Sequence, residues 1–330
     1  MKGLFRLLAH LILWPAVLLA VVWAAGALAF DLPWPALRKP AAIAFALAAL
    51  LIVWRVPGAS RKLATLAAAS AAVAAWWLTL RPSHDRQWQP EVAQLARAEV
   101  NGDVITVHNV RNFDYRTATD FSPRWESRTY HLSRLTGADI AINYWGSPWM
   151  AHPIFSFQFA DAAPLCFSIE TRKEVGEKYS AVGGLYRRFE LVYIAADERD
   201  VLRLRTSFRQ NEDVYLYRMT LTPELARRRF MDYIRALNHL HDTPHWYNAI
   251  TTNCTTTIRT QTEQDIRQPW DWRLLVNGKG DEMMYERGQI VTAGLPFAEL
   301  KARAHVNQAG MAATTSPDFS RLIRTGRPGF

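Results

Sequence analysis

Three side chains have the types and settings needed for nucleophilic catalysis: Cys254, His152 and Glu170. Cys254 follows Asn253, a good helix N-cap, and falls in the first turn of a predicted helix. The unpaired N–H groups and the dipole at such a position stabilise a thiolate and can hold an oxyanion. A thiol nucleophile also needs an imidazole that takes its proton and later returns it. His152 supplies one, and a neighbouring carboxylate such as Glu170 would orient the ring and favour its charged form.

Strand alternation is what brings His152 and Glu170 together. In residues 151–159, His152, Ile154, Ser156 and Gln158 share one face, and Pro153, Phe155, Phe157 and Phe159 share the other. After a turn at 160–164, Cys166, Ser168 and Glu170 alternate with Leu165, Phe167 and Ile169. The two runs predict a hairpin with one aromatic and one polar face, which sets residue 152 opposite about 170 to 172. Strands are also predicted at 103–110, 129–135, 138–145, 188–195 and 214–219, and a short helix at 87–100. Thr222-Pro223-Glu224 opens a helix running to about Leu240.

Two other chemistries compete for Cys254. It could pair with Cys166 in an oxidising compartment, which would silence the nucleophile. It could also join His239, His241 and His245 around zinc, but that spacing matches no standard pattern and Pro244 interrupts any helical His face. No metal and no cofactor are called for. For the charged residues Arg187, Glu190 and 198–200, surface ion pairs or a structural network compete with substrate contact.

Ahead of this region lie three apolar runs, with predicted spans at about 7–30, 38–56 and 63–80 in a membrane region covering 1–86. The first run, uncharged from 7 to 30, would reach roughly 36 Å as a helix, enough to cross a hydrocarbon core. A net charge of +9 first suggests nucleic acid as a partner, but its distribution excludes that. Nine basic and two acidic residues fall at or before Arg86, leaving 30 basic and 28 acidic in the nearly neutral remainder. Lys2 and Arg6, with Arg55, Arg61 and Lys62, place the N-terminus and the second loop in the cytoplasm and residues 87–330 outside.

Several ordered stretches resemble the Lnb N-terminal periplasmic domain family: 151–157, 167–174, 184–191, 197–200, 247–256, 271–278 and 318–320. The resemblance covers about residues 95–330. It implies a bacterial envelope protein related to lipoprotein N-acylation, and with the three spans read above the expectation is a multi-pass inner-membrane protein with its C-terminal domain in the periplasm. The expected fold is α+β: the three-helix transmembrane anchor read from the apolar runs, then a domain that the resemblance makes similar to permuted papain-like thiol enzymes, with an antiparallel sheet and a Cys-bearing helix. In that family of folds the His strand precedes the Cys helix, the order of His152, Glu170 and Cys254 here.

The expected activity is that of a thiol acyltransferase or acyl hydrolase, with membrane lipid and bacterial lipoproteins as partners. Cys254, His152 and Glu170 are the expected catalytic residues, and Asn253, Thr255, Tyr247 and Asn248 the expected oxyanion or substrate-binding residues. A papain-like amidase or peptidase on cell-wall peptides, or a non-catalytic envelope interaction domain, are the alternatives.

Overall fold

A computed structural model describes residues 2–330, with side chains from His10 onward. The Lys2 and Arg6 side chains, used above for topology, lie outside the described ones. The chain divides into two compact units: 1–84 with 178–190 and 246–249, and 85–177 with 191–245 and 250–330.

The first unit holds three helices, α1 (Lys2–Asp31), α2 (Pro35–Arg55) and α3 (Ala59–Thr79). Their stretches His10–Asp31, Pro35–Arg55 and Ala59–Thr79 are long and apolar enough to cross a membrane. Large apolar side chains such as Leu11, Leu19, Leu47 and Leu50 point outward, the reverse of a water-soluble bundle. The later segment 178–190 is tied to these helices. Asp31 accepts from Trp77 Nε1 at 2.6 Å and from Arg187 N at 3.1 Å. Arg187 in turn donates to the carbonyls of Trp77 and Leu80, both at 2.8 Å, satisfying groups left open at the end of α3. Tyr186 stacks on Phe30 and crosses so close to Gly26 that a Cβ there would lie 1.9 Å from its hydroxyl. Arg187 is therefore a structural residue of this unit.

The second unit is α+β. Its strands are β1 (Arg97–Asn101), β2 (Val104–Arg111), a short ribbon of β3 (Asp114–Tyr115) and β4 (Phe121–Ser122), β5 (Trp125–His131), β6 (Leu135–Trp145), β7 (Ala151–Phe159), β8 (Leu165–Arg172), β9 (Glu190–Ala196) and β10 (Glu212–Arg218). The main sheet runs β1-β2-β9-β8-β7-β6-β10, with β5 also paired to β2. Its pairings are antiparallel for β1–β2, β2–β5, β6–β7, β7–β8 and β6–β10, and parallel for β2–β9. The predicted hairpin is β7–β8, with Ile154 opposite Ser168, so residue 152 stands opposite 170 as the alternation required.

The helices are α4 (Glu198–Arg203), α5 (Pro223–Asp242), α6 (Cys254–Gln261), α7 (Gly280–Glu286), α8 (Phe297–Ala304), α9 (Asn307–Ala312) and α10 (Phe319–Leu322). Thr222 caps α5, as its sequence predicted. On one face of the sheet, α5 packs Phe230 and Tyr233 against Phe155, Phe157 and Phe167, with ring centroids 5.0 to 6.0 Å apart. On the other, Ile154, Cys166, Val192 and Ile194 pack against Val201 and Leu202 of α4 and Phe319 of α10. Each buried side chain of this size contributes about 1.5–3 kcal/mol.

One expectation needs correction. Residues 87–100 do not form a helix: a single 3-10 turn at Pro90–Val92 precedes β1. Pairing with β2, and an Asn238 side chain that bonds both N–H and C=O of Ala98, decide for strand there. Of the alternatives for 198–200, the structure shows the structural network: Glu198 and Asp200 are buried in ion pairs. Arg111 binds Asp200 at 2.8 Å, and Arg324 binds Asp139 at 2.8 Å together with Glu198. Once buried, each of these charges depends on its partner, so removing one leaves an uncompensated ion.

Candidate active site

Cys254 is the first residue of α6, and Asn253 caps it through a full capping box. The Asn253 Oδ1 accepts from Thr255 N at 3.0 Å and Thr256 N at 2.9 Å, while Thr256 Oγ1 accepts from Asn253 N at 2.9 Å. The Asn253 side-chain oxygen is thus committed to the helix start, and the Thr255 N–H is shared with it. What reaches the sulfur is a residue the sequence did not single out. Asn277 Nδ2 donates to Cys254 Sγ at 3.4 Å, and its Oδ1 accepts from Ala151 N at 2.9 Å. Because the Ala151 N–H can only meet the amide oxygen, the NH₂ group must face the sulfur.

Asn277 is held from behind. Gly278 lies so close to the 148–150 backbone that a Cβ would sit 2.3 Å from Pro148 O, and its carbonyl accepts from Tyr144 Oη at 2.9 Å. Thr255 Oγ1 reaches Leu274 O at 2.6 Å, tying the start of α6 to the same segment. Burial pushes the Cys254 thiol up to about 11, with the Asn277 amide and the N–H groups of Thr255 and Cys254 pulling the other way and Glu170 adding to the rise. The thiol is protonated at neutral pH, so it needs a base to react.

His152 and Glu170 do come together, through a third residue. His152 Nε2 and Ser168 Oγ lie 2.6 Å apart, and Ser168 Oγ donates to Glu170 Oε1 at 2.6 Å, with ring and carboxylate 3.9 Å apart. Arg205 closes the chain on Glu170 at 3.0 Å. A π-helical turn, Leu204–Phe208, follows α4 and carries that arginine. Burial acts to raise the Glu170 carboxyl, but Arg205, His152 and Arg111 outweigh it and hold it well below the usual range. Burial lowers His152 to about 4 against the pull of Glu170, with Arg205 and Arg209 adding to the fall, so the imidazole is neutral at pH 7 and able to accept a proton.

Cys254 and Asn277 make no hydrogen bond to His152, Ser168, Glu170 or Arg205 among the described residues. Strand parity explains why. Pro153 and Phe155 line a cleft together with Thr255 and Ile258, so α6 lies on their face of the sheet. His152 alternates with them and belongs with Ile154 and Ser156, on the face covered by α4. Asn277 joins the two at the start of β7, through Ala151 beside His152.

These residues lie within one matched region. Residues 121–278 match the model of the Lnb N-terminal periplasmic domain family. The Lnb match runs from β4 to Gly278, so it contains His152, Ser168, Glu170, Arg205, Cys254 and Asn277. The second unit is thus similar over this stretch to a periplasmic domain, and it follows three helices of membrane-spanning length. No curated protein and no solved structure matches the chain.

The other candidate residues divide between the two units. Tyr247 and Asn248 belong to the first unit, where Tyr247 N donates to Phe189 O at 2.9 Å and Asn248 Nδ2 to Leu185 O at 3.3 Å. Cys166 and Cys254 are separate free thiols, Cys166 sitting on the α4 side of β8. His239 and His245 approach to 3.2 Å between their Nε2 atoms, while His241 turns to Asp242. No three metal-ligating side chains gather among the described residues.

Proposed function

We propose that the protein is a membrane-anchored thiol acyltransferase or acyl hydrolase of the periplasm, held at the inner membrane, with Cys254 as its nucleophile. The observation that carries this is the setting of Cys254: first residue of a capped helix, amide of Asn277 on its sulfur, an apolar cleft opening beside it. Sγ attacks the ester carbonyl of a phospholipid or lipidated protein, and its proton passes to His152. The C–O bond breaks, the leaving oxygen takes that proton, and a thioester remains. An amine, such as a lipoprotein N-terminus, or water then attacks the thioester and frees Cys254. The Cys254 N–H and Asn277 Nδ2 are the donors best placed for the oxyanion. Ser168 and Glu170 orient His152 as a positioning pair. The permuted papain-like relationship is part of this proposal and gains support from the order of His strand and Cys helix.

Incubating the purified protein with phospholipid labelled in its acyl chain tests it. A thioester adduct should form and be lost in Cys254→Ala, by roughly 10⁴-fold or more, while the variant still folds. A labelled adduct that survives Cys254→Ala overturns the assignment, and turnover of muropeptides in place of lipid turns it toward a cell-wall amidase. One observation favours a second reading, a non-catalytic interaction domain: His152 spends Nε2 on Ser168, on the face of the sheet away from α6. That reading predicts a thiol inert to iodoacetamide at neutral pH.

A further inference from the structure

The cleft beside the start of α6 has a lining of unusual chemistry. Its walls are apolar: Ile142, Phe155, Ile258, Leu274, Met283 and Met284 all contribute. Its polar lining includes four arginines, Arg229, Arg259, Arg267 and Arg287, and not one aspartate or glutamate. Arg287 is neutralised by Asp271 at 3.0 Å, but the other three have no ion pair among the described residues. They hydrogen-bond only neutral groups. Arg259 Nε reaches Gln268 O at 3.2 Å, Arg267 reaches the carbonyls of Thr260 and Thr262 at 3.0 and 2.8 Å, and Arg229 reaches the Thr262 hydroxyl. Guanidinium groups beside an apolar wall are costly without a counter-anion, and they match phosphate in geometry.

A second observation points to lipid. Trp270 and Trp272 are 59 % and 50 % exposed, between Pro269 and the 3-10 turn Trp272–Leu274, and Pro269 and Leu274 both line the cleft. Exposed tryptophans two residues apart are poorly suited to water and well suited to the headgroup layer of a bilayer.

We propose that this cleft binds an anionic phospholipid, with an acyl chain between Ile142, Phe155 and Met284 and its phosphate on Arg259, Arg267 and Arg229. Thr255 and Asn277 also line the cleft, so a bound acyl ester would end beside Cys254. Only that last point rests on the proposed function. The binding site itself stands on shape and charge.

The test uses full-length protein in neutral maltoside micelles. Phosphatidylglycerol or phosphatidylcholine with a diazirine in the acyl chain is added, illuminated, and mapped by peptide mass. Adducts are expected on the peptides holding Ile258 and Met283–Met284, about tenfold more with phosphatidylglycerol, because phosphatidylcholine brings a choline cation beside the same phosphate and against the arginines. Arg259→Gln should erase the headgroup preference. Met284→Trp, which fills the cleft and leaves the arginines, should lower labelling by both lipids. Equal labelling by the two headgroups, or adducts confined to residues 10–79, overturns the proposal. If that happens while Cys254 still forms its thioester, the cleft assignment falls and the nucleophile assignment stands.

Discussion

The two faces of β7 carry different kinds of buried polar chemistry. On the α6 face, a protonated thiol at Cys254 accepts from the amide of Asn277, which lines an apolar cleft with Thr255. On the α4 face, His152, Ser168, Glu170 and Arg205 form a fully linked chain in which a buried carboxylate is neutralised by a buried guanidinium. The first set adjoins an apolar cleft and holds no base of its own, so its proton must go to His152. The second has a neutral base and spends its hydrogen bonds internally. The contrast separates what a buried cluster does for stability from what it does for chemistry, because a satisfied network stiffens a fold whether or not it reacts.

The strongest way to break this contrast is His152→Gln, which keeps a partner for Ser168 and removes the base. If His152 serves Cys254 as proposed, thioester formation falls by about 10⁴-fold, as for other thiol or hydroxyl nucleophiles deprived of their imidazole, with melting little changed. Unchanged adduct formation would make the α4 face purely structural. Asn277→Ala probes the other face. Loss of one oxyanion donor should lower the rate of acylation about 10²-fold, with a smaller effect on lipid binding, read as kcat against KM. An equal fall in both would reduce Asn277 to a packing role.

The smallest effect is on stability against pH. His152 titrates near 4 in the fold and near 6.5 when unfolded, so between those values the unfolded chain binds the extra proton. Stability from this group is therefore complete above about pH 6.5, declines as pH falls, and is lost by about pH 4, a change of about 3 kcal/mol. Denaturant melts of the parent and His152→Gln should agree near neutral pH and separate below about pH 6.5, the parent losing stability that the variant keeps. Parallel curves would show that the ring is not buried in its neutral form.

Much of the local structure was legible in the residues themselves. The period-2 alternation and the short 160–164 turn set the β7–β8 register and hence the pairing of 152 with 170, because only one register buries the aromatic set. Asn253 before Cys254 announced the start of α6, since an Asx side chain is the best acceptor for the first N–H groups. Ser168 was visible on the polar face, yet nothing local marked it as the link between ring and carboxylate. Residues 97–101 show the limit: a helical reading fits their composition, and β2 and Asn238 override it.

Thus the sequence by itself determined the three apolar helices, the hairpin and the capped cysteine, all of which follow from neighbours a few residues apart. Which side of the sheet α6 occupies, which residue touches the sulfur and which arginine neutralises Glu170 were decided by the tertiary structure. Asn277 lies 23 residues beyond Cys254 and Arg205 lies 35 beyond Glu170. Contacts at such separations depend on how whole layers pack over the sheet, and no local periodicity encodes that.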